Sequence, residues 1–228
     1  LCDEAKVAFG QWMDPAANEP ARRAEWLEQA RSYVADFWAE SEPLRTSEAV
    51  PMRPERVCRE IEEWLPGDAT LVVDTFHAAM WTAQMIRMKA GQNYIRCGGS
   101  LGWGFPAAIG TKAALPDKPV VAFVGDAGFY YHMAELETAA RAKLPVVTVV
   151  NTNYSGGVLE NVQFEKSVNF AKVAEAMGCV GFRVEKPADV RPALEKALAA
   201  GRPAVVDVVT DRQYRAQRGW VPAAVSGE

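Results

Sequence analysis

The chain has 228 residues, enough for one large domain or for one domain with an appendage. A net charge of -4 without a long basic run argues against nucleic acid as a partner, and two histidines are too few for a multi-histidine metal site. No apolar run approaches membrane-spanning length, the charged first residues do not resemble a signal peptide, and four scattered cysteines without a CxxC pair indicate reduced thiols. We therefore expect a cytoplasmic protein that neither spans nor binds a membrane.

The first fifty residues are predicted to be helical. Their apolar residues recur at helical spacing in a wide stripe that contains Trp26, Leu27, Ala30, Tyr33, Val34, Phe37 and Trp38. A helix this apolar needs a surface to lie against, and residues 1–50 alone do not provide one. We expect residues 1–50 to be the helical tail of a preceding domain with a linker, residues 51–211 to form an α/β domain, and residues 212–228 to be a C-terminal tail.

From Pro51 onward, short apolar strands alternate with helices. Strands are predicted at 70–74, 93–97, 120–126, 146–152, 179–185 and 204–211, and helices at 54–65, 77–89, 104–115, 130–143, 168–178 and 188–200. Strands that are apolar throughout are typical of sheets buried on both faces, and helices between strands indicate right-handed crossovers. The predicted fold class is therefore α/β, with a doubly wound, mostly parallel sheet of about six strands and helices on both faces.

Polar residues and glycines follow the ends of several predicted strands. Asp74, the pair Gly99-Ser100, Asp126 and Asn153 all occupy such positions. In a doubly wound sheet, ligands bind outside the carboxyl ends of the strands. One helix and one strand separate Asp126 from Asn153, so the two residues should become neighbours in space.

Asp126 and Asn153 suggest a metal site. A carboxylate, an amide oxygen and a nearby backbone carbonyl are hard donors that suit Mg²⁺ or Ca²⁺ rather than zinc. Such a site leaves coordination positions for water and phosphate oxygens, and a helix that starts after Gly128 would favour an anion there. The stretch therefore predicts a site for a metal-bridged diphosphate. Taken singly, the Asp-Ala-Gly turn is also typical of a helix cap, and "NTNYSGG" of a plain loop.

The stretch resembles the thiamin-diphosphate motif, in which "GDG" is followed, one helix and one strand later, by "NN". This sequence has "GDA" (125–127) and "TN" (152–153) in those places. The resemblance implies that Mg²⁺ is held by the Asp126 carboxylate, the Asn153 side chain and the Ser155 carbonyl. Residues 98–110, "GGSLGWGFPAAIG", are similar to the glycine-rich segment of that family. Residues 72–81, "VVDTFHAAMW", are similar to the diphosphate-side segment of acetolactate synthases.

The resemblance covers residues 51–211 and is closest to the C-terminal, diphosphate-binding domain of the acetolactate-synthase and pyruvate-decarboxylase superfamily. It implies thiamin diphosphate and Mg²⁺ as cofactors, and a decarboxylase or carboligase activity on a 2-oxo acid or related acyl donor. Leu101 would press between the two cofactor rings, and His77 is a candidate to line the reacting site. The implied cofactor-binding residues are Thr75, Phe76, His77, Gly99, Ser100, Leu101, Gly125, Asp126, Ala127, Gly128, Asn153, Ser155 and Gly156.

The resemblance also implies a partner. In this family the cofactor lies between two domains, and the other domain supplies the glutamate that activates the aminopyrimidine ring. Residues 1–228 contain no second α/β unit. We therefore expect a pyrimidine-binding domain or subunit, a homo- or hetero-oligomer, and no catalysis by this chain alone. The roles of Glu160 and Glu165, just past the metal loop, stay open.

Two alternative functions remain. "GWGFPA" (102–107) matches G-x-G-x-x-A, a weak dinucleotide fingerprint, which would indicate an NAD-binding α/β domain. The acid that such a site needs at a later strand end would be Asp126, which the metal interpretation already uses. A 2-hydroxyacyl-CoA lyase is the alternative within the thiamin-diphosphate superfamily. The remaining His132 and the aromatic Tyr130, Tyr131 and Trp81 are interpreted as structural, the aromatics as core.

Overall fold

The computed structural model describes residues 20–156, 162–216 and 219–220, with side chains from residue 23 onward. The chain divides into two compact units. One contains residues 43–218, and the described part of the other consists of residues 20–42 and 219–220. Within the described ranges, no helix is both long and apolar enough to cross a membrane.

The smaller unit is built on one long helix, α1 (Pro20–Arg45), whose last residues belong to the larger unit. Phe37 packs edge-to-face against Trp38 and Trp220, with ring centroids 5.3 and 5.8 Å apart. The predicted apolar stripe is thus half-buried at Phe37 and Trp38. Its members nearer the start of the helix are exposed, namely Trp26, Leu27 and Val34.

The larger unit contains a six-stranded sheet in which every neighbouring pair is parallel. The order across the sheet is β2-β1-β3-β4-β6-β5. The strands are β1 (Thr70–Val73), β2 (Asn93–Arg96), β3 (Val120–Gly125), β4 (Val146–Thr152), β5 (Val180–Val184) and β6 (Ala204–Val209). The predicted α/β class with a parallel sheet of about six strands is confirmed.

The helices of the larger unit alternate with the strands as predicted. They are α2 (Pro54–Trp64), α3 (His77–Met85), α4 (Gly104–Ala114), α5 (Asp126–His132), α6 (Glu135–Arg141), α7 (Phe170–Ala176) and α8 (Pro187–Ala199). The prediction of a single helix at 130–143 is wrong in two respects. The observed helical segment begins earlier, at Asp126, and it is interrupted at Met133 and Ala134. These two residues keep helical dihedral angles, but their carbonyls accept from residues three positions on, which is the tighter 3₁₀ pattern.

Both faces of the sheet are covered by helices, which explains the apolar strands. Helices α4 to α7 pack on one face, where Phe105, Phe129 and Phe170 meet edge-to-face with centroids 5.2 and 5.3 Å apart. Helices α2, α3 and α8 pack on the other. The central strands β1, β3, β4 and β6 are almost wholly buried. The edge strands β2 and β5 are not, because each has a neighbour on one side only.

The parallel topology brings the ends of β1, β3 and β4 side by side at the carboxyl edge of the sheet. Asp74 follows β1, Asp126 follows β3, and Asn153 follows β4. The glycine-rich segment between β2 and α4 reaches the same edge, since the backbone N–H of Gly102 donates to the Asp74 carboxylate. The residues of the predicted site therefore lie at this edge, in the connections that follow the strands, at the end of β3 or in the first turn of α5.

Candidate functional site

Asp126 is the centre of the site. Its side chain is buried, and four backbone N–H groups donate to its carboxylate. Oδ1 accepts from Ala127 at 2.8 Å, whereas Oδ2 accepts from Asn153, Tyr154 and Ser155 at 3.0, 2.6 and 3.3 Å. The loop after β4 therefore folds directly onto the acid after β3. The structure brings Asp126 and Asn153 together, as their sequence spacing predicts.

The turn formed by residues 153–155, hereafter the β4 turn, has an uncommon backbone. Tyr154 has a φ of 59°, in the left-handed region that few non-glycine residues adopt. Oδ1 of Asn153 accepts from the N–H of Ser155 at 3.0 Å, and this bond closes an Asx-type turn around Tyr154. Because of this curvature, three successive N–H groups converge on one carboxylate oxygen.

Burial changes the titration of Asp126. Desolvation disfavours the charged carboxylate and raises its pKa to about 6, while the hydrogen bonds from Ala127 and the β4 turn act in the opposite direction. The Asp126 carboxylate is thus mostly ionised at neutral pH, but its hydrogen bonds only partly offset the cost of burying its charge. A cation next to it would restore the compensation that burial removes.

The oxygen donors of the site fit a hard divalent cation. Oδ2 of Asp126 is saturated by three donors, whereas Oδ1 takes one of the described hydrogen bonds and retains acceptor capacity. Asn153 Oδ1 and the Ser155 carbonyl belong to the same short turn. No cluster of three or more His, Cys, Asp or Glu side chains suited to a metal occurs in the described part of the chain. The donors that lie together at Asp126 are one carboxylate and the neutral oxygens of the β4 turn, a set of hard oxygen donors of the kind that Mg²⁺ accepts.

Asp74, which follows β1, is a second buried carboxylate, and it contacts its own connection, the glycine-rich segment and helix α5. It accepts from the N–H of Thr75 at 2.7 Å, and both of its oxygens lie 3.0 to 3.1 Å from the N–H of Gly102. A side-chain carbon at Gly128 would overlap Oδ2 of Asp74. Sequence reasoning placed Asp74 at a strand end but missed this arrangement of Asp74, Gly102 and Gly128, hereafter the Asp74 clasp. Burial raises the pKa of Asp74, and its backbone hydrogen bonds oppose that shift.

The glycine-rich segment is fixed to the Asp74 clasp through Gly102, which has a φ of 92°. Ser100 and Leu101 immediately before it are exposed, with Leu101 exposed to 40%. The Leu101 side chain lies over Gly128, whose missing side chain leaves it room. Gly99 is likewise exposed. This part of the predicted site therefore presents an apolar side chain at the edge where Asp126 lies.

Thr75, Phe76 and His77 form the connection from β1 to α3. Phe76 has a φ of 65° and a ψ of -132°, a region that strongly favours glycine, and the residue is 67% exposed. Strained backbone of this kind concentrates at functional sites. The His77 ring lies 5.4 Å from the Phe76 ring, centroid to centroid. Burial, and secondly the charge of Arg215, lower the pKa of His77, so its imidazole is neutral at pH 7.

The remaining predicted residues lie around the two carboxylates. Gly125 ends β3, and Ala127 and Gly128 are in the first turn of α5, which starts at Asp126 rather than after Gly128. The N–H of Gly156 donates to the Val162 carbonyl at 2.7 Å and closes the loop after the β4 turn. Glu165 is exposed and accepts from the Ser167 N–H, whereas Glu160 lies outside the described residues.

The aromatic residues assigned to the core behave differently from one another. Trp81 is buried, and Tyr130 is half-buried against Phe164 and Phe170. The prediction for Tyr131 is wrong, because this residue is 66% exposed. Tyr131 is on the side of α5 that faces Gly102, away from the aromatic core.

Comparison with known proteins identifies the family of this domain. Residues 74–208 match the sequence profile described as "Thiamine pyrophosphate enzyme, C-terminal TPP binding domain". The chain belongs to this family. The resemblance drawn from the sequence motifs is therefore confirmed, and the matched residues of the TPP-binding domain begin with Asp74 and include both carboxylates and the β4 turn.

Relatives of this TPP-binding domain include carboligases and decarboxylases. Glyoxylate carboligase of Escherichia coli O157:H7 is 32% identical over 236 residues, covering 90% of this chain and 38% of the relative. The mitochondrial acetolactate synthase catalytic subunit of Aspergillus candidus is 36% identical over 147 residues, covering 59% and 21%. The thiamine diphosphate-dependent 4-hydroxybenzoylformate decarboxylase of Rhodococcus jostii RHA1 has a similar fold, with a TM-score of 0.66 at 26% identity, covering 73% and 34%. The chain spans less than half the length of the curated relatives it matches.

The family match favours thiamin diphosphate, which is thiamine pyrophosphate, over the NAD alternative. The geometry of the glycine-rich segment agrees with that choice. A dinucleotide fingerprint uses glycine N–H groups to approach a phosphate, but the N–H of Gly102 is already bonded to the Asp74 carboxylate. A second anion at the same N–H would be repelled by that carboxylate.

Proposed function

We propose that this chain is the diphosphate- and Mg²⁺-binding part of a thiamin-diphosphate-dependent carbon–carbon lyase or ligase that acts on 2-oxo acids. The observation that carries the proposal is the β4 turn. It places three N–H groups on Oδ2 of Asp126 and sets Asn153 and Ser155 beside that carboxylate. A buried acid surrounded in this way holds its ionised oxygen in one position, which is what a metal ligand requires.

The proposed metal ligands are Oδ1 of Asp126, Oδ1 of Asn153 and the carbonyl of Ser155. One carboxylate and two neutral oxygens leave a divalent ion with one uncompensated positive charge. Mg²⁺ prefers six oxygen ligands, and three protein ligands leave positions for water and for an anionic diphosphate. The donor set thus explains why the site would bind a metal and a diphosphate together.

The connections around Asp126 would line the diphosphate and the adjoining part of the cofactor. The residues proposed to do so are Thr75, Phe76, His77, Gly99, Ser100, Gly125, Ala127, Gly128 and Gly156. Leu101 has a different proposed role. Its exposed side chain, held over Gly128, is available to support the bent form of the cofactor between its two rings.

The chemistry of the proposed reaction belongs to the cofactor. When bound, thiamin diphosphate supplies a carbon nucleophile for the carbonyl of a 2-oxo acid and an electron sink for the bond that breaks. This chain would bind and orient the diphosphate end through Asp126 and the β4 turn. His77, neutral because burial lowers its pKa, could exchange a hydrogen bond with the substrate or the diphosphate.

The proposal includes a partner for the other end of the cofactor. The residues of this chain align with 38% of glyoxylate carboligase, and a pyrimidine-binding part would correspond to residues outside that aligned share. We propose a pyrimidine-binding domain or subunit that supplies the activating glutamate, in a homo- or hetero-oligomer. A cytoplasmic location is part of the proposal and is supported by the cysteine pattern.

The test is Asp126→Ala in the assembled enzyme. Removal of the only charged metal ligand should abolish Mg²⁺-dependent binding of thiamin diphosphate, measured by calorimetric titration with and without Mg²⁺. Asp117→Ala is the matched control, because it removes an exposed carboxylate just before β3, at the opposite edge of the sheet. Unchanged cofactor affinity in Asp126→Ala would contradict the proposal. Release of CO₂ from 2-oxo acids by the wild-type assembly tests the reaction type.

A further inference from the structure

A buried ion pair lies behind the β4 turn and belongs to none of the motifs in the sequence. Asp207, in the middle of β6, is fully buried and accepts from Nη1 of Arg183 on β5 at 2.6 Å. The Arg183 side chain is 20% exposed. A carboxylate without solvent access needs such compensation, and a planar guanidinium can serve several acceptors at once in fixed directions.

The arginine of this pair also holds the middle of the β4 turn. Nη2 of Arg183 donates to the phenol oxygen of Tyr154. The backbone of Tyr154 is tied in two further places, because its N–H donates to Asp126 at 2.6 Å and its carbonyl accepts from Phe164 at 2.8 Å. The left-handed backbone of Tyr154 is unfavourable for a tyrosine and persists only if its surroundings determine it. Arg183 contributes by holding the Tyr154 side chain.

The aspartate of the pair holds the residue at the entrance to the turn. Oδ1 of Asp207 accepts from the hydroxyl of Thr152 at 2.6 Å, and Oδ2 also accepts from the N–H of Phe170 at 2.8 Å. Thr152 and Tyr154 are the two neighbours of Asn153 in the chain. Both neighbours of the proposed amide ligand are therefore tethered to a single ion pair, one through Asp207 and the other through Arg183.

We propose that the Arg183–Asp207 ion pair is a positioning element for metal binding, which sets Asn153 and Ser155 against Asp126 by holding Thr152 and Tyr154. The inference rests on the proposed function of the β4 turn. Groups that orient metal ligands from behind commonly change metal affinity by about ten- to a hundredfold when they are lost. A buried ion pair by itself contributes little or nothing to stability relative to apolar residues, so a role in geometry accounts for its presence better than a role in folding.

The sharpest test is Tyr154→Phe, which removes the phenolic hydroxyl bonded to Arg183 and leaves the ring, the ion pair and the backbone of the turn in place. In the assembled enzyme with saturating thiamin diphosphate, we expect the apparent Mg²⁺ affinity to fall about tenfold. The thermal midpoint measured without Mg²⁺ and cofactor should stay within a few degrees of wild type. Excess Mg²⁺ should restore kcat, because the ligands are misplaced rather than removed.

Arg183→Met and Arg183→Lys complete the series. Loss of the guanidinium should lower Mg²⁺ affinity more than Tyr154→Phe does, and lysine, which keeps the charge beside Asp207, should recover part of the loss. Arg202→Met is the matched control, since Arg202 is exposed and donates to the Gly178 carbonyl at the amino edge of the sheet. If Arg183→Met is too unstable to assay, Tyr154→Phe decides the question alone.

Two outcomes would overturn the inference. Unchanged Mg²⁺ affinity in Tyr154→Phe, while Asp126→Ala abolishes metal-dependent binding, would show that the metal site exists but is not positioned by Arg183. Unchanged affinity in Asp126→Ala as well would refute the proposed function and the inference together.

Discussion

The two buried carboxylates at the ends of β1 and β3 resemble each other in burial but differ in their surroundings. Asp74 is 1% exposed and Asp126 is 3% exposed, both accept backbone N–H groups, and burial raises the pKa of both. They differ in their neighbours. The Asp74 carboxylate accepts from the Gly102 N–H and lies so close to Gly128 that a side-chain carbon there would overlap it. Asp126 is bordered by a turn that offers side-chain and carbonyl oxygens.

The comparison shows that two acids at equivalent strand ends can have different surroundings. The parallel topology places both acids at the same edge of the sheet, and the residue types in the nearby connections determine what surrounds each acid. Glycines after β2 and in α5 allow the backbone to close onto Asp74. Asn153 and Ser155 after β4 place oxygen atoms beside Asp126. We therefore interpret the Asp74 clasp as a structural contact that holds the glycine-rich segment in place. The Asp126 site is the one proposed to bind Mg²⁺ and the diphosphate.

Gly128→Ala should disrupt the Asp74 clasp and cause the largest change in the free energy of unfolding among these predictions. The added methyl group would overlap Oδ2 of Asp74, and moving that carboxylate aside would disturb its hydrogen bonds with the N–H groups of Thr75 and Gly102. We expect the free energy of unfolding to fall by about 3 kcal/mol, the upper part of the range for overpacked interiors. Chemical denaturation of the assembled protein measures the change.

Gly110→Ala is the matched control for that prediction. Gly110 is in α4, and a methyl group there would meet nothing within 4 Å. The free energy of unfolding should rise by roughly 0.5–1 kcal/mol, because alanine favours the helix over glycine. Equal effects of the two substitutions would mean that the Asp74 clasp is not tightly packed.

The pH dependence of stability should sharpen the comparison at Asp126. Its pKa of about 6 lies above the ordinary 3.8, so the folded state binds a proton more readily than the unfolded state. The resulting stabilisation is fully present below pH 4 and is lost as the pH rises through about 6. By linkage, the contribution amounts to roughly 2–3 kcal/mol in the protein without metal.

Asp126→Asn isolates that contribution, since the amide does not titrate. We expect the stability of wild type relative to the variant to decrease between pH 4.5 and pH 7, measured by denaturation at both values. Saturating Mg²⁺ with thiamin diphosphate should reduce the decrease, because a bound cation favours the ionised carboxylate. A difference between the two proteins that is independent of pH would contradict the assigned pKa.

Asn153→Ala should have the smallest effect, because it removes a neutral ligand from the site. We expect Mg²⁺ affinity to fall about tenfold, equivalent to about 1.4 kcal/mol, which is less than the complete loss expected for Asp126→Ala. Titration with Mg²⁺ at saturating thiamin diphosphate measures it. Asn93→Ala, at the amino end of β2, is a control that should leave the affinity unchanged. A loss as severe as that of Asp126→Ala would mean that the turn itself had collapsed.

Much of the architecture was predictable because it is encoded locally. Apolar runs such as Val146–Thr152 and helical stretches such as Pro187–Ala199 have the composition of buried strands and packed helices, so all six strands were located to within about two residues. The break between α5 and α6 was not predictable, because Met133 and Ala134 carry no glycine or proline signal. The exposure of Tyr131 depends on which side of α5 faces Gly102, and the pattern of α5 alone does not decide that.

The sequence by itself determined the order of strands and helices, and therefore which residues follow strand ends, since these depend on short-range patterns. The proximity of Asp126 and Asn153 followed from one helix and one strand between them. Only the tertiary structure decided that the Gly102 N–H bonds to Asp74, and that Arg183 reaches both Asp207 and Tyr154. These contacts join residues 24 to 29 positions apart on different elements, and Asp207 reaches Thr152 across 55 positions. Such pairings depend on strand order and side-chain direction, which no local pattern contains.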